Sequence, residues 1–148
     1  MKSTQTELLL AEDDPGHAKL ITKALRDAGF TCPVRHFPDG QAILDFLEPR
    51  PGAAEGLDPA CRYMLLLDIR MPKISGDEVL RRIKENPRLR LMPVIMLTTT
   101  DDPREVKRCH ELGCSEYVIK PIDYKAFMEV VRRLAQFLQV VHVPPLVA

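Results

Sequence analysis

The run Tyr63-Met64-Leu65-Leu66-Leu67-Asp68-Ile69-Arg70-Met71-Pro72 decides how the rest of the chain is read. Its uncharged first half predicts a strand buried on both faces, as in a parallel sheet. The strand ends abruptly in a carboxylate, and Pro72 soon forbids further pairing. In an open parallel α/β sheet, ligands sit at the carboxyl ends of the strands. An aspartate there is held by a rigid element and still reaches solvent. Alone, such an aspartate does no more than end a strand, so its meaning depends on what the other strands deliver beside it.

Working outward, Glu7–Ala11 predicts a first buried strand ending in Glu12-Asp13-Asp14. Asp14-Pro15 is a helix start, a carboxylate cap followed by a proline whose missing N–H costs nothing there. Ala18, Ile21, Leu25 and Ala28 then recur at helical spacing up to Gly29. Val34–Phe37 predicts a second strand, with Pro33 pointing to an edge or an irregular start. Pro38-Asp39-Gly40 opens a short helix with Ile43, Leu44 and Leu47 inward. The stretch from Pro49 to Arg62 exceeds the ~2–6 residues usual in such connections and reads as an exposed insertion. Beyond Asp68, a helix over Gly76–Asn86 turns Val79, Leu80 and Ile83 inward. Pro93–Leu97 predicts a fourth strand, ending in Thr98-Thr99-Thr100. Asp102-Pro103 starts a helix with Val106, Cys109 and Leu112 inward, and Gly113 stops it. Glu116–Ile119 is a fifth strand followed by Lys120-Pro121. A last helix begins near Asp123 and carries Phe127, Val130, Val131, Leu134, Phe137 and Val141, the first five on the expected inner stripe. This alternation predicts an α/β fold, a doubly wound five-stranded parallel sheet with helices on both faces.

The chain has 148 residues, enough for one domain with a real core, and a formal net charge of zero. The charge balance gives no general pull toward nucleic acid or anionic lipid, and no apolar run approaches membrane-spanning length. Residues 1–6 lack a secretion signal. Cys32, Cys61, Cys109 and Cys114 form no C-x-x-C pair and read as the reduced thiols of a cytoplasmic protein. His17, His36, His110 and His142 are scattered and read as structural or surface residues.

The strand ends now define a constellation: Glu12 and Asp13 from the first, Asp68 from the third, Thr98 from the fourth and Lys120 from the fifth. Carboxylates about 5 Å apart repel by roughly 3 kcal/mol at an effective dielectric of about 20, so the cluster wants a cation. Oxygen-only donors favour Mg²⁺ over zinc. A carboxylate is ionised at neutral pH and can act as a nucleophile without a general base. A cation, an ammonium and a hydroxyl around it are what a transferring phosphoryl group needs. The deduction is a phospho-acceptor aspartate.

With these residues in hand, the chain resembles the receiver domains of two-component response regulators. The resemblance rests on Leu10-Ala11-Glu12-Asp13-Asp14, on Leu67-Asp68-Ile69-Arg70-Met71-Pro72 with Gly76, on Leu97-Thr98-Thr99, and on Tyr117-Val118-Ile119-Lys120-Pro121. It implies a flavodoxin-like sheet in the order 2-1-3-4-5, as one domain over 1–148 with its core at about 7–140 and a C-terminal extension at about 141–148. It implies that Asp68 accepts a phosphoryl group from a histidine kinase or phosphotransfer protein. Asp13, Asp68 and the backbone carbonyl of Arg70 would ligate Mg²⁺, for which Mn²⁺ can substitute, and Glu12 would hold a metal-bound water. Thr98 and Lys120 would bind phosphoryl oxygens, Thr98 and Tyr117 would serve as the switch pair, and the Lys120–Pro121 bond would be cis. The insertion before the central strand and the ending Phe137–Pro145 look like the single-domain regulators paired with bacterial phytochrome kinases.

Three functions compete at this point. The leading one is a phosphorylation-controlled signalling module without an output domain or enzymatic turnover of its own, and the alternative is an interaction scaffold indifferent to phosphorylation. A phosphatase using an aspartate nucleophile resembles a D-x-D-x-T pattern, and Arg70 stands where its general acid would be. Neither glycine fingerprint of a nucleotide binder follows the first strand. Met128, Leu138, Val140, Val141, Val143, Leu146 and Val147 exceed what one stripe can bury, which predicts a homodimer through the last helix and tail.

Overall fold

The computed structural model describes residues 5–146. In chain order the elements are β1 (Gln5–Ala11), α1 (Pro15–Asp27), β2 (Val34–Phe37), α2 (Gly40–Leu47), β3 (Cys61–Leu67), α3 (Gly76–Glu85), β4 (Val94–Thr98), α4 (Pro103–Leu112), β5 (Glu116–Ile119) and α5 (Tyr124–Leu138). The five strands form one parallel sheet in the order β2-β1-β3-β4-β5. This is the doubly wound, flavodoxin-like arrangement.

β3 lies at the centre because both its faces are covered. Tyr63, Leu65 and Leu67 point to one side of the sheet, where α2 and α3 supply Ile43, Leu44, Val79, Leu80 and Ile83. Met64 and Leu66 point to the other, against Ile21 and Leu25 of α1 and Phe127 and Val131 of α5. Each such side chain, fully buried, contributes about 1.5–3 kcal/mol. The lack of polar alternation in the sequence is the direct image of this two-sided burial.

Four helices begin at an aspartate that accepts backbone N–H bonds of the first turn. Asp14 accepts from Gly16 and His17, Asp39 from Ala42, Asp102 from Arg104, and Asp123 from Ala126. Each cap is worth about 1 kcal/mol, and each starts its helix immediately after a strand end. Capping therefore also sets how the strand-end side chains are presented. Gly113 closes α4 with φ of 104°, the left-handed conformation that glycine adopts without penalty.

The insertion is ordered by its contacts. Arg35 on edge strand β2 pairs with Glu7 at 2.7 Å and Glu55 at 3.3 Å, and its guanidinium lies 4.8 Å from the centre of the Phe46 ring. The Asp58 N–H donates to the Tyr63 hydroxyl, and Leu57 packs on the core.

The C-terminal third departs from expectation in two ways. In α5 the inward stripe is Phe127, Val131, Leu134, Ala135 and Leu138, whereas Phe137, expected inside, is 46% exposed. Spacings of four, seven, eight and eleven from Phe127 keep one face of a 3.6-residue helix, and a spacing of ten does not. The tail then folds back on its own domain instead of remaining free. Val143 is buried against the α1/α5 side, its carbonyl accepts from Arg62 Nη1 at 3.0 Å, and Leu146 packs on the opposite core. Val147, also assigned to the apolar tail, lies outside the described residues.

One glycine ties fold to site. The Gly76 N–H donates to the Ile69 carbonyl at 2.7 Å, and a Cβ at Gly76 would stand 1.9 Å from the Asp68 carbonyl oxygen. Gly76→Ala must therefore push the β3–α3 loop away from α3. The expected cost is about 2–3 kcal/mol, or a Tm lower by roughly 4–12 °C, readable by thermal melting.

Candidate functional site

The ends of β1, β3, β4 and β5 bring the predicted residues to one edge of the sheet. Asp68 is fixed by its own N–H, which donates to the Ala11 carbonyl at 3.1 Å, just as Glu12 is fixed by donation to the Phe37 carbonyl. Lys120 is set by its N–H to the Thr98 carbonyl at 2.7 Å. Backbone pairing thus carries the strand register one residue past each strand, into the polar ends. Carboxylate oxygens of Glu12, Asp13 and Asp68 lie within 4.8 Å of one another. Asp13 is exposed, while Glu12, Asp68, Thr98 and Lys120 are the buried polar side chains among the described residues.

The Lys120 ammonium bridges the two buried carboxylates, 2.8 Å from Glu12 Oε2 and 3.2 Å from Asp68 Oδ2. Burial works against its charge, but the Glu12 hydrogen bond and the Asp68 charge prevail and hold its pKa above the ordinary lysine value. Burial raises the Glu12 carboxyl, the Lys120 contact opposes that, and the neighbouring Asp68 charge adds to it. One cation for three acids leaves the cluster short of positive charge. The Thr98 hydroxyl is fully buried with no hydrogen-bond partner among the described residues. A buried unpaired hydroxyl costs about 1–3 kcal/mol, a cost that an acceptor atom brought into the site would relieve. The donor set fits a hard divalent cation: all oxygen, net negative and open to solvent at Asp13.

Around this centre, the Ile69 carbonyl accepts from both Met71 and Gly76, whereas no donor among the described residues is bonded to the Arg70 carbonyl. The Arg70 side chain is exposed and reaches to 3.8 Å from Glu105 on α4. Tyr117 is half-buried, and its hydroxyl donates to the Thr100 carbonyl in the β4–α4 loop at 2.7 Å. Burial pushes its phenol up to about 12, so it stays a donor at any physiological pH. Asp14 keeps to capping, its pKa lowered chiefly by the His17 N–H.

The Lys120–Pro121 bond is a correction: no cis peptide occurs among the described residues, and this one is trans. Trans is the lower-energy isomer by about 0.5–1 kcal/mol, and the ammonium is oriented by its two carboxylates. His17, expected to be a structural or surface residue, is about half exposed, and its Nδ1 lies 3.4 Å from Glu12 Oε1. Its place in the first turn of a helix starting beside the acidic run was the available signal.

A family model for the response regulator receiver domain matches residues 8–132. The chain belongs to that family. Among solved structures, the receiver resembles a response regulator receiver domain from Rhodospirillum rubrum, with a TM-score of 0.86 and 37% identity, covering 96% of this chain and 99% of that one. The Mn²⁺-bound form of response regulator Rcp1 has a TM-score of 0.84 at 28% identity, over 93% and 98%. The phosphorylated cyanobacterial phytochrome response regulator RcpA has a TM-score of 0.82 at 26% identity, over 95% and 99%. Among curated relatives, the receiver is 36% identical to the probable methanogenesis regulatory protein FilR2 of Methanothrix harundinacea, over 88% of this chain and 81% of that protein. It is 30% identical to Rcp1 of Synechocystis, over 93% and 92%. The receiver is thus a two-component signalling protein with phytochrome-associated relatives. No helix among its described residues is long and apolar enough to cross a membrane.

Proposed function

We propose that this receiver accepts a phosphoryl group on Asp68 from a histidine kinase or phosphotransfer protein, with Mg²⁺, and signals through a change in conformation or assembly. The observation that carries this is the Lys120 ammonium bridging Asp68 and Glu12 beside the unpaired Thr98 hydroxyl. An Asp68 carboxylate oxygen forms the new O–P bond as the N–P bond of the donor phosphohistidine breaks. The electron pair of that bond stays on the imidazole. Thr98 donates to, and Lys120 neutralises, the phosphoryl oxygens. Asp13, Asp68 and the Arg70 carbonyl would hold the metal and Glu12 its water; bound there, Mg²⁺ screens the negative charge of the phosphoryl group. Tyr117, tied to the loop just past Thr98, is placed to pass on any movement of that loop. Incubation with acetyl phosphate and Mg²⁺ should add one phosphoryl mass at Asp68. Absence of any adduct would favour the phosphorylation-independent scaffold, and rapid turnover of varied phosphoesters would make the protein an enzyme.

The finer assignments belong to the same reading. The unit is one receiver over residues 7–140 with the tail as a strap, at home in the cytoplasm, and a bacterial phytochrome kinase is the proposed donor on the strength of RcpA's likeness. Thr99 lies beside Lys120 at the rim of a cavity of about 250 Å³. Its branched side chain crowds an attacking water, so Thr99→Ala should shorten the phosphoryl lifetime severalfold, as followed by loss of the labelled adduct.

The receiver also forms a homodimer in this reading, but the folded-back tail moves the interface. What remains open is the face of β5 and α5, where Phe137, 46% exposed, lines a cleft with Val118 and Val130, and Val140, 71% exposed, follows three residues on. A second copy covering this face closes a two-fold assembly. Phe137→Glu with Val140→Glu should give a folded monomer by light scattering at micromolar concentration, with a Tm that no longer depends on protein concentration. Truncation after Gln139 should instead lower Tm, because it removes buried Val143.

A further inference from the structure

We infer that His17 is a positioning residue for the metal site, holding the Glu12 carboxylate at the oxygen that Lys120 does not engage. The inference rests on the metal-binding reading above. Glu12 has two oxygens and two neighbours: Lys120 Nζ lies 2.8 Å from Oε2, and His17 Nδ1 lies 3.4 Å from Oε1. A carboxylate gripped at one oxygen can still rotate about its Cγ–Cδ bond, and a second contact at the other oxygen fixes its plane. The imidazole is itself fixed. Its backbone N–H donates to Asp14 Oδ1 at 3.2 Å in the first turn of α1, and its ring lies 6.1 Å from that of Phe127 on α5. Asp14 Oδ2 stands a further 4.0 Å from Nδ1. Both carboxylates face this one nitrogen, so a donor at Nδ1 has an acceptor oxygen on Glu12 and on Asp14 within reach.

The consequence is specific to the cation. Glu12 is buried, and a loose carboxylate there must be ordered whenever a hydrated cation is taken up. Groups that orient a metal site from outside the ligand shell are typically worth ~10–100-fold in affinity. His17 is about half exposed, so the expected effect lies at or below the low end of that range. The role is absent from the strand-end pattern because His17 comes from a helix, not from a strand end.

The test is Mg²⁺ and Mn²⁺ binding by calorimetry on the full chain, for wild type, His17→Ala, His17→Gln and Lys19→Ala. His17→Ala should raise the Kd for both ions about threefold to tenfold, with its Tm in chelator within a degree or so of wild type. His17→Gln, which keeps an N–H donor, should recover most of the affinity, and Lys19→Ala should bind as wild type does. Equal or tighter binding by His17→Ala overturns the inference while leaving the metal site standing. Equal loss in His17→Ala and His17→Gln overturns it too, since the donor would then not matter. No binding by the wild type would remove the metal-binding reading and this inference together.

Discussion

Asp68→Asn is expected to abolish phosphorylation by acetyl phosphate completely while leaving the fold as stable as wild type or slightly more so. The functional half follows from chemistry: an amide oxygen is not a nucleophile of carboxylate strength, and Glu12, the other buried acid, has its Oε2 engaged by Lys120. The stability half follows from the charges. Asp68 is attracted to Lys120 at 3.2 Å and repelled by Glu12 and Asp13, whose oxygens lie within 4.8 Å. At an effective dielectric of about 20 the attraction is roughly 5 kcal/mol and the two repulsions together about 7, so the terms nearly cancel. The asparagine keeps the shape and an oxygen for the Lys120 ammonium. Melting curves in chelator, compared with mass spectra after acetyl phosphate treatment, separate the two halves. A mutant that still takes up a phosphoryl group would move the acceptor elsewhere. A mutant that melts many degrees lower would make Asp68 a structural residue.

How much of this could be read from the chain alone depends on which kind of interaction decides each feature. The strands were legible because two-sided burial leaves an uninterrupted apolar run, as at Leu65-Leu66-Leu67, all without exposed surface. The helix starts were legible because Asp14 and Asp102 act on their own neighbours in sequence. The site was legible because parallel strands must deliver their ends to one edge, so Glu12, Asp68, Thr98 and Lys120 converge once the strands are placed. Features decided between distant segments were not. α5 is apolar on more than one side, so the sequence left its phase open, and Phe137 and Leu138 exchanged places. The tail's course depends on Arg62, far away in the chain, donating to the Val143 carbonyl. The clamp of Arg35 on Glu7, Glu55 and Phe46 brings three remote segments together. The isomer of the Lys120–Pro121 bond turns on about 0.5–1 kcal/mol, too little for any local pattern to announce.

The same burial that makes Lys120 useful makes it indispensable to the metal-free fold. Lys120→Ala is expected to cost about 3–5 kcal/mol in chelator, the range for removing one member of a buried ion pair. Its side chain is 3% exposed, and its ammonium is the counter-ion of both Glu12 and Asp68, which are 2% and 10% exposed. Deleting it leaves two mutually repelling carboxylates in a poorly solvated pocket, with exposed Asp13 adding to the repulsion. For a chain of this size the loss corresponds to a Tm roughly 6–20 °C lower. Because the deficit is one of charge more than of packing, a divalent cation should repair part of it. Adding millimolar Mg²⁺ should therefore raise the Tm of the mutant by more than it raises that of wild type. In the proposed function Lys120 also binds phosphoryl oxygens, so stability and phosphate recognition would then draw on one ammonium. Lys120→Met, which refills the volume without the charge, separates the two contributions. It should melt low in chelator as Lys120→Ala does, and recover similarly with Mg²⁺. If Lys120→Met were instead as stable as wild type without metal, the lysine would be holding the fold by its stem, and the electrostatic account of the site would fail.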